Sequence, residues 1–160
     1  MTLVIRPAVR ADVPVIAELI RGLARFEKME DQVTMTEDRL AASLFGERRY
    51  AETLIAEQDD AEPVAFALFF HNFSTFLAQP GIYLEDLFVV PEHRGRGIGR
   101  AVLKELARLA VERGCGRLEW AVLDWNRDAI GFYERLGARP NSDWTVYRLA
   151  GEALTSLGRE

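Results

Sequence analysis

The stretch Val89-Val90-Pro91-Glu92-His93-Arg94-Gly95-Arg96-Gly97-Ile98-Gly99-Arg100 constrains the fold of this chain more than any other. It joins an apolar run, Ile82 to Val90, to a segment in which Ile98, Val102, Leu106 and Leu109 recur at helical spacing. A strand must therefore turn into a helix through three closely spaced glycines. Glycine permits both the tight turn and a close approach of backbone to ligand. Successive N–H groups at the start of a helix suit phosphate oxygens, and Arg94, Arg96 and Arg100 add positive charge beside them. A pyrophosphate is the guest this pattern predicts. A P-loop needs Lys-Ser or Lys-Thr after its last glycine, and here Gly99 precedes Arg100-Ala101. A dinucleotide fingerprint beginning at Gly95 needs glycine or alanine where Arg100 stands, and it belongs in an opening βαβ unit, whereas this loop follows four expected strands.

Around the loop the chain reads β-α-α-β-β-β-α-β-α-β. Strands are expected over Thr2–Arg6, Tyr50–Glu57, Pro63–Phe70, Ile82–Val90, Arg117–Leu123 and Trp144–Leu149. Asp12, with Pro14 behind it, opens a first helix whose apolar face is Val15, Ile16, Leu19, Ile20, Leu23 and Phe26. Thr36 caps a second helix carrying Leu40, Leu44 and Phe45. The helix after the loop ends at Gly114. Asn126 caps a last helix bearing Ala129, Ile130, Tyr133 and Leu136, stopped by Gly137. The fold class is α/β (α+β), a single domain over 1–160 with a mixed sheet and helices on both faces.

Composition narrows the function. At 49% hydrophobic and 28% charged, 160 residues form a packed core rather than a disordered chain. No apolar run matches a membrane span, and Met1–Arg6 has no leader pattern, so a cytoplasmic protein off the membrane is expected. Cys115 is the single cysteine and His71 and His93 lie far apart, so neither a disulfide nor a metal site is expected. A net charge of −5 disfavours nucleic acid. The charge is uneven: residues 1–90 hold 15 acidic and 8 basic side chains, residues 91–160 hold 10 and 12. Two solvated faces account for this, as does a cationic substrate on one side with an anionic cofactor on the other.

Arg94, Gly97 and Gly99 match the Arg/Gln-x-x-Gly-x-Gly/Ala pyrophosphate loop of the GNAT superfamily of acyl-CoA N-acyltransferases, which the chain resembles. Asn126 and Phe132-Tyr133-Glu134-Arg135-Leu136-Gly137-Ala138 resemble the superfamily's later signature, with Ala138 in place of its common phenylalanine. Leu23 to Val33, Tyr83-Leu84-Glu85-Asp86-Leu87-Phe88-Val89 and Asp124-Trp125-Asn126 resemble the diamine (spermidine/spermine) and thialysine acetyltransferases, over residues of about 3 to 150. Phe26 stands where the polyamine enzymes have a tyrosine. The resemblance implies a GNAT fold, acetyl-CoA as co-substrate, a small cationic amine as acceptor, direct transfer in a ternary complex, and a homodimer with both partners lining each site. It implies that Leu87, Phe88, Val89, Arg94, Gly95, Arg96, Gly97, Ile98, Gly99, Arg100, Asn126 and Tyr133 contact the cofactor. Phe26, Glu27, Glu85, Asp86 and Trp144 then belong to the acceptor.

The chemistry asks for a base, because at pH 7 only roughly one alkyl ammonium in 2,500 is neutral. Glu85 and Asp86 sit in an apolar strand, where only one of two neighbours faces the substrate unless the strand bulges or splays. The resemblance implies such a break, gives Glu85 the role of base through water, and leaves Asp86 to hold the cationic chain. It gives the oxyanion to a backbone N–H within Leu87–Val89 and makes Tyr133 the acid for the coenzyme A sulfur. The plainer alternatives are a surface charge with a structural ion pair for Glu85 and Asp86, core packing for Tyr133 and Trp144, and solvated or structural histidines. Cys115 matches no family nucleophile. An acetyltransferase for a drug, peptide or protein amine, and an acyl-CoA sensor with no use for Glu85 and Tyr133, are the rival functions. Glu27, Glu30 and Asp31 are expected on the end of the first helix, with Glu27 and Glu30 sharing a face.

Overall fold

The computed structural model describes residues 2–160. The chain forms two compact units, Met1–Ala121 and Val122–Glu160. In the first, five strands form one sheet in the order β1-β2-β3-β4-β5: β1 Leu3–Pro7, β2 Glu52–Gln58, β3 Glu62–Ser74, β4 Gln79–Val89 and β5 Leu118–Trp120. The first four pair antiparallel and β5 joins β4 parallel, so the sheet is mixed. Helices α1 (Val13–Phe26) and α2 (Glu37–Phe45) lie between β1 and β2, and α3 (Ile98–Glu112) is the crossover from β4 to β5.

The register sorts the core into two faces. Ile55 pairs with Phe66, and Phe66 with Phe88, so all three side chains share one face. They pack under Val13, Ile16, Ala17 and Leu19 of α1 and Leu40 and Leu44 of α2. Gly22 makes this contact possible: a Cβ there would stand 2.9 Å from Cε2 of Phe88. The opposite face takes α3, whose Ile98, Val102, Leu103, Leu106 and Ala110 are buried. Arg6 joins the start of the sheet to the start of α1 by donating to Asp12 at 2.8 and 2.9 Å and to Glu57 at 2.6 and 3.0 Å. Asp12 occupies the N-cap position but spends its carboxylate on Arg6 and on the Val9 N–H, not on α1. Thr36 does cap α2, accepting from the Arg39 N–H at 3.2 Å.

The second unit holds α4 (Arg127–Arg135) and α5 (Gly151–Leu157). The Asn126 side chain caps α4, accepting from the Ala129 N–H at 3.3 Å, and Gly137 ends it at a φ of 92°.

Three expectations need correction. Residues 144–149 form neither strand nor helix: their alternation suits a pleated surface, but a strand exists only through ladder bonds, and these residues make none among the described residues. The helix α5 that follows was not expected; Gly151, at a φ of 59°, opens it. Glu27 and Glu30 do not share a helix face. α1 stops at Phe26, Lys28 turns the chain at a φ of 58°, and Glu30–Gln32 is a separate 3-10 turn. Strand limits also differ: β3 and β4 extend into a longer hairpin, whereas β5 keeps only three of the seven residues expected.

Candidate active site

Two irregularities in β4 build the site. Leu68 faces Asp86 and Phe69 faces Leu84, which leaves Glu85 as an extra residue on β4. This is a β-bulge, and it resets the alternation. Tyr83 before the bulge shares a face with Asp86 and Phe88 after it, while Glu85 is exposed. Adjacent carboxylates thus sit on β4 without either being buried in the core: Glu85 is exposed and Asp86 half-buried. The second irregularity is on the other edge. β5 pairs with β4 only from Ile82 to Leu84, so from Glu85 to Val89 that edge of β4 has no strand beside it.

The electrostatics follow from this placement. Asp86 is pushed up to about 6, first by burial and then by the negative charges of Glu85 and Glu27. Burial also raises Glu27. Glu27, Glu85 and Asp86 take no part in the ion pairs that Arg6, Arg21, Arg108, Arg113 and Arg117 make. Three acids this close, with Asp86 partly buried, raise one another's charge cost.

The loop follows directly. A 3-10 turn at Pro91–His93 leads into Gly95 and Gly97, at φ values of 75° and 79°. No atom lies within 4 Å of where a Cβ would stand on either glycine, so the concave side of the loop is clear. Gly97 caps α3 in the left-handed region, and the first intrahelical bond runs from the Ala101 N–H to the Gly97 carbonyl at 3.0 Å. The N–H groups of Ile98, Gly99 and Arg100 precede that bond and point out of the helix end.

The Arg94 side chain is placed by contacts within the protein. Its Nε–H donates to the Val89 carbonyl at 2.9 Å, and its guanidinium lies 4.5 Å from the Phe26 ring centroid and 5.3 Å from that of Phe88. Arg94 therefore braces the loop against α1 and β4. Sequence spacing gave no sign of this, nor of Gly22 beneath Phe88.

A family model described as Acetyltransferase (GNAT) family matches residues 16–138. The chain belongs to the GNAT acetyltransferase family. It is an acyltransferase enzyme, and its sheet, crossover and loop are the GNAT fold. A thialysine N-epsilon-acetyltransferase of Bos taurus is 41% identical over 163 residues, covering 96% of this chain and 95% of the relative. An L-ornithine N5-acetyltransferase of Arabidopsis thaliana is 32% identical, covering 97% and 87%. Among solved structures, an integron cassette protein from the mobile metagenome of V. cholerae superposes with a TM-score of 0.83 at 27% identity, covering 100% of this chain and 99% of that one.

GNAT enzymes use acetyl-CoA, and the residues present fit its pyrophosphate: two left-handed glycines with clear space, outward N–H groups at the start of α3, and basic residues alongside. Of the other expected site residues, Phe26 is exposed at the end of α1 with Arg94 on its ring. Tyr133 and Asn126 belong to the second unit, on α4 and at its cap. Burial holds the Tyr133 phenol above its ordinary range. Trp144, also in the second unit, is exposed. Among the described residues no group of acids, histidines or cysteines could hold a metal, and no helix is long and apolar enough to cross a membrane.

Proposed function

We propose that this enzyme moves the acetyl group of acetyl-CoA to a primary amine of a small cationic acceptor, such as a polyamine, a diamine or a thialysine-like amino acid, by direct transfer in a ternary complex. The observation that carries this reading is the Glu27, Glu85 and Asp86 cluster, with Asp86 partly buried and its carboxyl raised by the other two, on and beside the strand that leads into the loop. The relatives named for thialysine and L-ornithine support it, since both molecules carry a second ammonium group. Acetyl-CoA supplies the activated acetyl thioester. Gly95 to Arg100 hold its pyrophosphate with backbone N–H groups, Arg96 and Arg100 add charge, and Arg94 and Ile98 contribute through the backbone. The open edge of Leu87–Val89 orients the acetyl carbonyl by N–H donation. Exposed Glu85 takes the proton from the acceptor's ammonium through water. Asp86 and Glu27 hold the distal cation, beside Phe26. Tyr133 gives its hydroxyl proton to the departing sulfur. Asn126 and Trp144 complete the cofactor and acceptor contacts. The catalytic unit is one domain over 1–160, and its compartment is the cytoplasm.

Free thiol release from acetyl-CoA with a panel of amines tests the acceptor. A diamine or thialysine is expected to have a higher kcat/KM than a monoamine of equal length. Added salt should shrink the advantage, because screening weakens exposed attractions. Glu27→Gln should reduce the discrimination and leave acetyl-CoA affinity alone. Equal rates for monoamines and diamines at low salt would sink the assignment, and no release with any amine would sink the reaction.

The enzyme works as a homodimer in this reading, on the strength of the family resemblance. Sedimentation at micromolar concentration is expected to give twice the 18.1 kDa of one chain. A species of 18.1 kDa would refute the dimer.

A further inference from the structure

We propose that His93 is a positioning residue for the cofactor loop, held by a clasp to buried Gln58. Gln58 ends β2 and is 5% exposed. Its side-chain oxygen lies 2.9 Å from Nδ1 of His93. An amide oxygen only accepts, so the ring proton sits on Nδ1, and His93 donates. Nε2 of the same ring lies 3.9 Å from Glu62, across the β2–β3 hairpin from Gln58. The backbone repeats the attachment one step earlier, where the Val90 N–H donates to the Val64 carbonyl at 2.9 Å. The start of the loop is therefore fastened to the end of the β2–β3 hairpin.

The need for a fastening comes from the loop itself. Gly95 and Gly97 have no side chains, and nothing packs within 4 Å of their Cβ positions. Gly95 and Gly97 therefore bring no side-chain packing to the loop, and contacts at its two ends carry much of its order. α3 fixes one end through the bond from Ala101 to Gly97, and the Gln58–His93 clasp fixes the other, just before Arg94 braces itself on Val89, Phe26 and Phe88. Removing the clasp leaves a buried amide oxygen without its donor and gives the loop more conformations to lose on binding.

This inference rests on the reading of the loop as the acetyl-CoA site, and calorimetry of acetyl-CoA binding separates the two. His93→Ala is expected to weaken binding on the order of tenfold. Gln58→Leu, which removes the other partner, should do the same, and the double variant should be no worse than either alone. His93→Asn places an amide donor where Nδ1 stood and should restore most of the affinity; it also serves if the alanine variant does not fold. Gly97→Val, which forces a side chain into a left-handed position over the open face, should abolish binding. Loss with Gly97→Val but wild-type affinity in His93→Ala, even with a lowered melting temperature, would make His93 merely structural and overturn the clasp. Wild-type affinity in Gly97→Val would overturn the loop reading and the clasp with it.

Discussion

Tyr133→Phe is expected to lower kcat by about 10²–10⁴-fold, the range typical of a lost general acid, with little change in acetyl-CoA affinity. The expectation rests on the general-acid role proposed for Tyr133, and two observations are compatible with it. Tyr133 lies on α4, a helix capped by Asn126, so its position is set by a hydrogen-bonded start rather than by a loop. Burial raises its phenol above the ordinary tyrosine range, so at neutral pH the hydroxyl keeps its proton and can give it up to a stronger base. Phenylalanine keeps the ring and removes only that proton. A fold-level defect would appear in circular dichroism and in calorimetry with acetyl-CoA, and the chemical defect would appear in neither. A variant that turns over at near wild-type rate would return Tyr133 to a packing role.

The parts legible in the sequence are those in which a local pattern has one physical solution. Left-handed glycines between a strand and a striped helix gave the loop, and Gly95 and Gly97 take those conformations. Thr36 and Asn126 are caps in the structure, as short polar residues before helical stripes should be. Other features depend on partners far along the chain. The clasp joins residues 35 apart, and no spacing rule links a histidine before a glycine loop to a glutamine at the end of β2. The bulge puts Asp86 on the face of Tyr83, but an apolar strand with two acids at its centre is compatible with either alternation until the register is known. The end of α1 was misread because Lys28 makes the left-handed turn in place of the usual glycine or asparagine. Residues 144–149 have the composition of a strand, and composition supplies no ladder.

Asp86→Asn is expected to make the protein more stable and a poorer catalyst. The folded carboxyl titrates at about 6, against a model-peptide 3.8, chiefly because it is buried and then because Glu85 and Glu27 lie nearby. A raised acid costs stability in its charged form. Below 3.8 both folded and unfolded chains hold the proton and nothing is lost. Between 3.8 and about 6 the folded chain holds more protons than the unfolded one, so stability falls as pH rises; above about 6 the full penalty remains. That penalty amounts to about 3 kcal/mol as an upper bound. Asparagine carries no charge and avoids it. Urea unfolding at pH 7 should therefore show the variant more stable by up to about 3 kcal/mol, with the gain shrinking below about 1 kcal/mol near pH 4. A gain of the same size at both pH values, or none at pH 7, would mean that Asp86 is not strained by its charge. The same substitution should raise KM for a diamine and leave acetyl-CoA affinity unchanged, if, as proposed, the charge that burdens the free protein is the one that receives the acceptor's distal ammonium. A diamine should in turn stabilise the wild-type protein more than the variant, since only the wild type has an ionised group there to be relieved. In the proposed reading, stability given up at this position is recovered when the acceptor's cation arrives.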